Sequence, residues 1–116
     1  SDPVRYARVA AYAEADARLG LGAPTVAWVR EALAVTARFA HPLYTRGMRQ
    51  PMLMIGAARD PLVDTPAIEA FAHRLKTGGV VVVPGALHEL MQEQDEIRSQ
   101  FWAAFDAFVP GELPFL

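Results

Sequence analysis

The chain has 116 residues, a net charge of −2 at neutral pH and no cysteine. This length suits one small domain, and the lack of cysteine excludes disulfide bonds, thiol catalysis and cysteine-based metal sites. The 11 basic and 13 acidic residues are interspersed, so the sequence has no basic patch for nucleic acid. We find neither the apolar core of a signal peptide nor a membrane-spanning run, and we expect a cytoplasmic protein.

The first 45 residues predict two helices and no strand. Ser1 or Asp2 as N-cap, with Pro3 in the first turn, opens a helix that "LGLGAP" ends. The second helix, "PTVAWVREALAVTARFA", has apolar stripes on two sides, namely Val26, Val29, Leu33 and Ala37 on one and Trp28, Ala32, Val35 and Phe39 on the other. Such a helix packs between two layers. It is either a buried core helix or a helix whose second side lines an apolar pocket.

From residue 50 the pattern alternates between strand and helix. An apolar run over 52–57 is followed by a helix with Thr65 as N-cap and Pro66 at its first position, ended by Gly78-Gly79. The run "VVVVP" is β-branched without alternation, which is typical of a strand covered on both faces. A last helix in "QDEIRSQFWAAFDAFVPG" stops at Pro110-Gly111. The order β-α-β-α predicts an α/β fold in which a crossover helix joins two parallel strands.

Two polar turns follow the predicted strands. "AARDPLVD" presents Asp60 and "PGALHEL" presents His88. Ligand sites of open α/β sheets lie beyond the carboxyl ends of the strands, so we expect these two side chains to meet there. An aspartate that orients a histidine is the acid–base half of a catalytic triad. Asp64 is the rival acid, although Asp60 lies nearer the strand end.

Other polar residues have simpler interpretations. His73 lies within a helix, and His41 precedes a proline between the two halves. His88-Glu89 begins like a zinc-protease motif, but residue 92 is glutamine, so we expect no metal and no organic cofactor. The acidic residues near the start of the last helix are favoured there by its dipole and are interpreted as solvated; they are Glu89, Glu93, Asp95 and Glu96.

Residues 50–109 resemble the C-terminal part of an α/β-hydrolase, most closely the bacterial lysophospholipase and monoacylglycerol lipase branch. The matching motifs are "PMLMIGAARDPLVD" and "VVVVPGALHELMQEQDEIR". The resemblance implies that Asp60 is the triad acid, that His88 is the base, and that the substrates are acyl glycerols or lysophospholipids. It implies a boundary near residue 45, with 1–45 as the end of the lid region and 46–116 as core. Trp28 and Phe39 would then line an acyl pocket.

The triad's third member is not found in the sequence. α/β-Hydrolases carry the nucleophile in a G-x-S-x-G elbow before the acid and the histidine, whereas this chain has only Ser1 and Ser99. We therefore expect an upstream segment to supply the nucleophile and the isolated chain to be inactive. Two alternatives remain, namely a hydrolase acting on thioesters, lactones or peroxides, and a non-catalytic binding or assembly module. A two-stranded sheet has free edges, so we also expect the isolated chain to self-associate.

Overall fold

Two parallel strands, flanked by four helices, organise the structure. The computed structural model describes residues 1–109. The helices are α1 (Pro3–Ala15), α2 (Val26–Ala40), α3 (Thr65–Ala72) and α4 (Asp95–Phe108), and the strands are β1 (Met52–Ala57) and β2 (Gly78–Val83). Short 3₁₀ turns lie at Ala17–Leu19, Tyr44–Gly47 and Leu90–Gln92. The predicted stop at Pro110-Gly111 lies outside the described residues. No helix in this part of the chain is long and apolar enough to cross a membrane.

The pairing of β1 with β2 confirms the predicted β-α-β arrangement. The strands are parallel, with Met52 opposite Gly78 at one end and Ala57 opposite Val83 at the other. Helix α3 connects them and contacts both. Both carboxyl ends therefore lie at the same edge, followed by the turns that carry Asp60 and His88.

Strand β2 begins two residues earlier than predicted. The expectation that Gly78-Gly79 ends α3 is wrong, because α3 ends at Ala72 and both glycines belong to β2. The Leu75 side chain lies over Gly78 so closely that a Cβ there would be 2.6 Å from Leu75 Cδ1. Because Gly78 has no Cβ, the Leu75 side chain can pack directly against the backbone at the start of β2.

The helix starts agree with the sequence at α1 and differ at α3. Asp2 caps α1, since its Oδ1 accepts hydrogen bonds from the N–H groups of Val4 and Arg5 at 2.9 and 3.0 Å. The prediction of Thr65 as N-cap is wrong, because Asp64 holds that position and makes no side-chain capping bond. The Thr65 hydroxyl instead donates to Ala57 O at 2.7 Å and ties α3 to the end of β1.

The buried core lies at the carboxyl ends of the strands. Ala57, Val83 and Ala86 are at most 2% exposed, and they pack against the partly buried Ile55, Leu90 and Ile97. Val81 is 37% exposed, so the prediction that β2 is covered on both faces along its length is wrong. Within β2 only Val83, the last residue before the turn that carries His88, is fully buried.

The burial of helix α2 differs most from what the sequence predicts. A buried core helix is one of its two predicted interpretations, but α2 has no buried residue, and Val26, Trp28 and Leu33 are all more than half exposed. The accessible surface of 9076 Å² exceeds the roughly 6,200 Å² typical of a folded monomer of this mass. The radius of gyration is 17.2 Å, against about 13 Å for a globular chain of this length. Both apolar stripes of α2 are thus left largely uncovered by the described chain.

We predict that Val83→Ala lowers the free energy of unfolding by about 2 kcal/mol, because it removes two buried methyl groups and leaves a cavity. Urea denaturation of the two proteins measures this difference. Val81→Ala is the matched control on the same strand and costs less, since Val81 is already partly solvated. Equal losses for the two variants would contradict this location of the core.

We also predict that the isolated chain self-associates through the free strand edges or the apolar stripes of α2. Size-exclusion chromatography with light scattering should show a mass above 12.7 kDa that rises with concentration. Leu33→Glu places a charge on one exposed stripe and should shift the equilibrium toward monomer if α2 takes part. A wild-type chain that stays monomeric at high concentration contradicts this prediction.

Candidate active site

Main-chain hydrogen bonds join the two turns beyond the strand ends. The N–H of Ala58 donates to Val83 O at 3.1 Å, and the N–H of Arg59 donates to Ala86 O at 2.9 Å. The strand ladder ends at Ala57 and Val83, and these two hydrogen bonds tie the turn after β1 to the end of β2 and to the turn that follows it. Asp60, the next residue after Arg59, is held beside the segment that leads to His88.

The turn after β2 depends on a glycine. Gly85 has φ of +75°, a left-handed conformation that costs other residues about 1–2 kcal/mol. Its reversal places Ala86 in the core with no exposed surface, and His88 follows two residues later. The histidine is therefore carried by a turn that is anchored in the core.

The structure brings Asp60 and His88 together. His88 Nδ1 lies 2.9 Å from Asp60 Oδ2 and 3.1 Å from Oδ1. The Asp60 side chain is only 4% exposed, whereas that of His88 is 39% exposed. Asp64, the rival acid, is the N-cap residue of α3, and its carbonyl accepts hydrogen bonds from the N–H groups of Ala67 and Ile68. The acid of the pair is covered and the histidine is accessible.

Hydrogen bonds keep Asp60 ionised. Desolvation by itself would raise the pKa of Asp60, but the N–H of Leu62, the His88 ring and the N–H of Val63 outweigh it and lower that pKa below its ordinary value. Both N–H groups donate to Oδ1, at 2.8 and 3.1 Å. Because a carboxylate only accepts, the hydrogen in the contact with His88 belongs to Nδ1. The lone pair of the neutral ring is then on Nε2, which makes no hydrogen bond within residues 1–109.

Glu93 belongs to the turn that carries His88, and the prediction that it is solvated is wrong. The residue is 2% exposed, and its Oε1 accepts a hydrogen bond from the N–H of Leu87 at 2.7 Å. Desolvation alone would raise its pKa, but the Leu87 N–H and the Ser1 amino group lower it below its ordinary value. The 3₁₀ turn at Leu90–Gln92 reverses the chain, so that Glu93 lies beneath the turn that carries His88. No sequence motif indicates this reversal.

Trp28 and Phe39 occupy one side of α2, about 16 Å apart along its axis. The Phe39 ring packs edge-on against Tyr44 and Phe71, with centroid distances of 5.1 and 5.8 Å. Trp28 is 62% exposed. Their assignment to an acyl pocket stays a prediction.

The remaining histidines make local contacts. The N–H of Leu43 donates to His41 Nδ1 at 3.2 Å, and His73 Nδ1 lies 3.2 Å from Glu69 O within the turn that ends α3. Over the part of the chain that the structure describes, no three His, Asp or Glu side chains converge on a possible metal position.

A parallel β-α-β unit with an aspartate–histidine pair beyond its carboxyl ends agrees with the α/β-hydrolase class. The family model described as "Serine aminopeptidase, S33" (Hydrolase_4) matches residues 1–95. The chain therefore belongs to this hydrolase family, and the match includes Asp60, His88 and the N-terminal helices. No curated protein and no solved structure matches the chain. The boundary near residue 45 and the lysophospholipase branch stay predictions.

We predict that Asp60 titrates with a midpoint below 3.8, its ordinary value, in a carboxyl ¹³C NMR titration. Because the folded pKa is lowered, the stabilisation from Asp60 is complete above the unfolded pKa and is lost as pH falls through the folded pKa. His88→Ala should raise the midpoint by removing one hydrogen bond and one charge interaction. His73, whose ring contacts Glu69 O at the end of α3, provides the control, and His73→Ala should leave the midpoint unchanged. A wild-type midpoint at or above 3.8 would contradict the arrangement.

Proposed function

We propose that this chain supplies the acid and base of a serine ester hydrolase whose substrates are acyl glycerols or lysophospholipids. The observation that carries the proposal is the contact between a covered, ionised Asp60 and an accessible His88 at the carboxyl ends of parallel strands. Membership of a hydrolase family supports hydrolysis as the reaction. The ester preference rests on the resemblance of the two turns to the lysophospholipase branch.

In the proposed reaction His88 moves protons and Asp60 orients it. Nε2 takes the proton from a serine hydroxyl as its oxygen attacks the acyl carbonyl carbon, and the imidazolium is stabilised by the Asp60 carboxylate. The tetrahedral intermediate then releases the alcohol, which takes the proton from Nε2. A water molecule attacks the acyl-serine in the same way, releasing the fatty acid and restoring the serine.

We propose that the nucleophile comes from an upstream segment of the same polypeptide. Ser99 lies inside α4, where its hydroxyl donates to Glu96 O at 3.0 Å. The Ser1 amino group is 3.0 Å from the carboxylate of Glu93, and no hydrogen bond joins Ser1 to the His88 ring within residues 1–109. Each threonine hydroxyl also has a local role, either as a cap or as a donor to a main-chain carbonyl; these residues are Thr25, Thr36, Thr45, Thr65 and Thr77.

Hydrolysis of an N-terminal peptide bond is the second candidate, because the family description names serine aminopeptidases. The same acid and base would serve, with an amine as the leaving group. An aminopeptidase also needs an acidic side chain to bind the substrate's ammonium group, and Glu89 is exposed next to His88. Parallel assays with a monoacylglycerol and an aminoacyl amide distinguish the two reactions.

The first test is labelling of the source cell with a fluorophosphonate, followed by peptide mapping of the labelled proteins. We expect a labelled protein longer than 116 residues that contains the peptide through Pro84 and Glu96. If this peptide occurs only in an unlabelled species of about the present length, the enzyme proposal is wrong and the binding-module alternative is favoured.

In that labelled protein, His88→Ala and Asp60→Asn should each lower kcat by about 10⁴-fold, as for other triads, with little change in folding. His73→Ala is the matched control, since His73 is outside the site, and it should keep wild-type kcat. Retention of activity in His88→Ala would contradict the proposed base.

A further inference from the structure

We infer that Glu93 is a positioning residue that holds the turn of His88 and thereby sets the contact between His88 and Asp60. The inference rests on the proposed function, because it concerns the geometry of the proposed base. Within residues 1–109, the Glu93 side chain makes no hydrogen bond to the His88 ring or to the Asp60 carboxylate. It acts through the main chain of Leu87, the residue before His88.

The burial of Glu93 indicates that its carboxylate has specific partners, which in the 116-residue chain are the N–H of Leu87 at Oε1 and the Ser1 amino group at Oε2. A carboxylate removed from water costs several kcal/mol unless hydrogen bonds replace its solvation. The 2.7 Å bond from Leu87 N–H to Oε1 is of the charge-assisted kind, which is about twice as strong as a neutral hydrogen bond. Its lowered pKa agrees with an ionised group held by donors.

The bond closes the seven residues from Leu87 to Glu93 into a small ring. Inside this ring the N–H of Leu90 donates to His88 O at 3.1 Å, and the N–H of Gln92 donates to Glu89 O at 2.8 Å. These local bonds shape the 3₁₀ turn, but neither joins its two ends. Only the Glu93 side chain makes that connection among the hydrogen bonds of this part of the structure.

The far end of the ring is fixed from outside. Arg5 Nη1 donates to Glu93 O at 2.7 Å, and the N–H of Asp2 donates to Gln92 O at 2.8 Å. The Arg5 guanidinium also pairs with Asp95 at the start of α4. Helix α1 therefore holds the main chain of Glu93, whose side chain holds Leu87. The histidine is positioned between this anchor and the buried Ala86.

Asp60 is anchored separately, by the N–H groups of Leu62 and Val63. Loss of the Glu93 bond should thus release the histidine turn and leave the acid in place. The distance from Nδ1 to the carboxylate would then vary, and the ring would spend less time oriented for proton transfer. A displacement of about 1 Å at such a site can reduce the rate about 100-fold.

The test uses NMR of the 116-residue chain, with Glu93→Ala, Glu93→Gln and Glu89→Gln compared with wild type. Glu93→Ala should broaden or remove the hydrogen-bonded Nδ1–H signal of His88 and speed amide exchange at Leu87 by about tenfold, the effect of one lost hydrogen bond. Glu93→Gln keeps an acceptor oxygen, so it should show both of these changes to a smaller extent than Glu93→Ala. Glu89→Gln makes the same charge change one residue from His88 on an exposed side chain and should alter neither.

Amide exchange at Ile55 and Val82 in the strands shows whether each variant keeps its fold. If Glu93→Ala unfolds the chain, Glu93→Gln is used to test the inference, because glutamine has nearly the same size as glutamate and keeps one acceptor oxygen. The inference is overturned if Glu93→Ala is folded and its His88 and Leu87 signals are those of wild type. If Glu93→Ala does not fold, the inference is overturned when both signals are unchanged in Glu93→Gln.

The labelled parent protein adds a kinetic readout. There Glu93→Ala should lower kcat with little change in KM. Glu96→Gln makes the same charge change as Glu93→Gln at an exposed residue of α4 that has no role in either candidate reaction, and it should leave kcat unchanged. If the parent hydrolyses neither esters nor aminoacyl amides, the proposed function fails, while the NMR result still decides the role of Glu93. If His88→Ala abolishes turnover and Glu93→Ala does not, the positioning role fails and the proposed function stands.

Discussion

The parallel register of β1 and β2, together with the hydrogen bonds that join the following turns, is the constraint on which the site depends. Hydrogen bonds from Ala58 to Val83 and from Arg59 to Ala86 tie the turn after β1 to the end of β2 and to the turn that follows it. A slip of one residue would move one turn by about 3.3 Å along the strand and reverse its side chains. A hydrogen bond of 2.9 Å between His88 and Asp60 would not survive such a shift. The site geometry is therefore a property of the sheet.

Each half of the pair is fixed by its own set of local interactions. Asp60 is held by the N–H groups of the turn that follows it, which also keep its pKa low. His88 is held by a left-handed glycine, a buried alanine and, in our inference, the carboxylate of Glu93. One electrostatic result follows, since an ionised acid requires the ring hydrogen to be on Nδ1. The other ring nitrogen, Nε2, then carries the lone pair.

Burial is distributed unevenly, and this matters for the proposed function. The fully covered apolar side chains lie beside the site, whereas α2 exposes both of its apolar stripes. Exposed apolar patches of this kind mark surfaces that other protein segments cover. This distribution agrees with our proposal that the nucleophile comes from a further segment of the polypeptide. It also explains why an acid–base pair can be well formed in a structure that leaves α2 largely exposed.

Much of the local structure could be predicted because it depends on neighbours in the chain. Asp2 and Pro3 indicated the start of α1, the apolar run at 52–57 matched β1, and the strand–helix alternation predicted parallel pairing. The same rule placed Asp60 and His88 at one edge of the sheet. These signals are short-range, or they follow from the single way in which a crossover helix joins parallel strands.

Tertiary contacts decided the rest. Gly78-Gly79 has the sequence pattern of a helix stop, but Gly78 pairs with Met52 across the sheet and is the first residue of β2. Glu93 was interpreted as solvated like its acidic neighbours, and only the fold of the 3₁₀ turn buries it beneath Leu87. The stripes of α2 identified an apolar helix, but whether it is covered depends on which other segments reach it. The sequence by itself thus determined the residue types and their order along the chain. The tertiary structure decided which side chains are removed from water, because burial depends on residues that are distant in sequence.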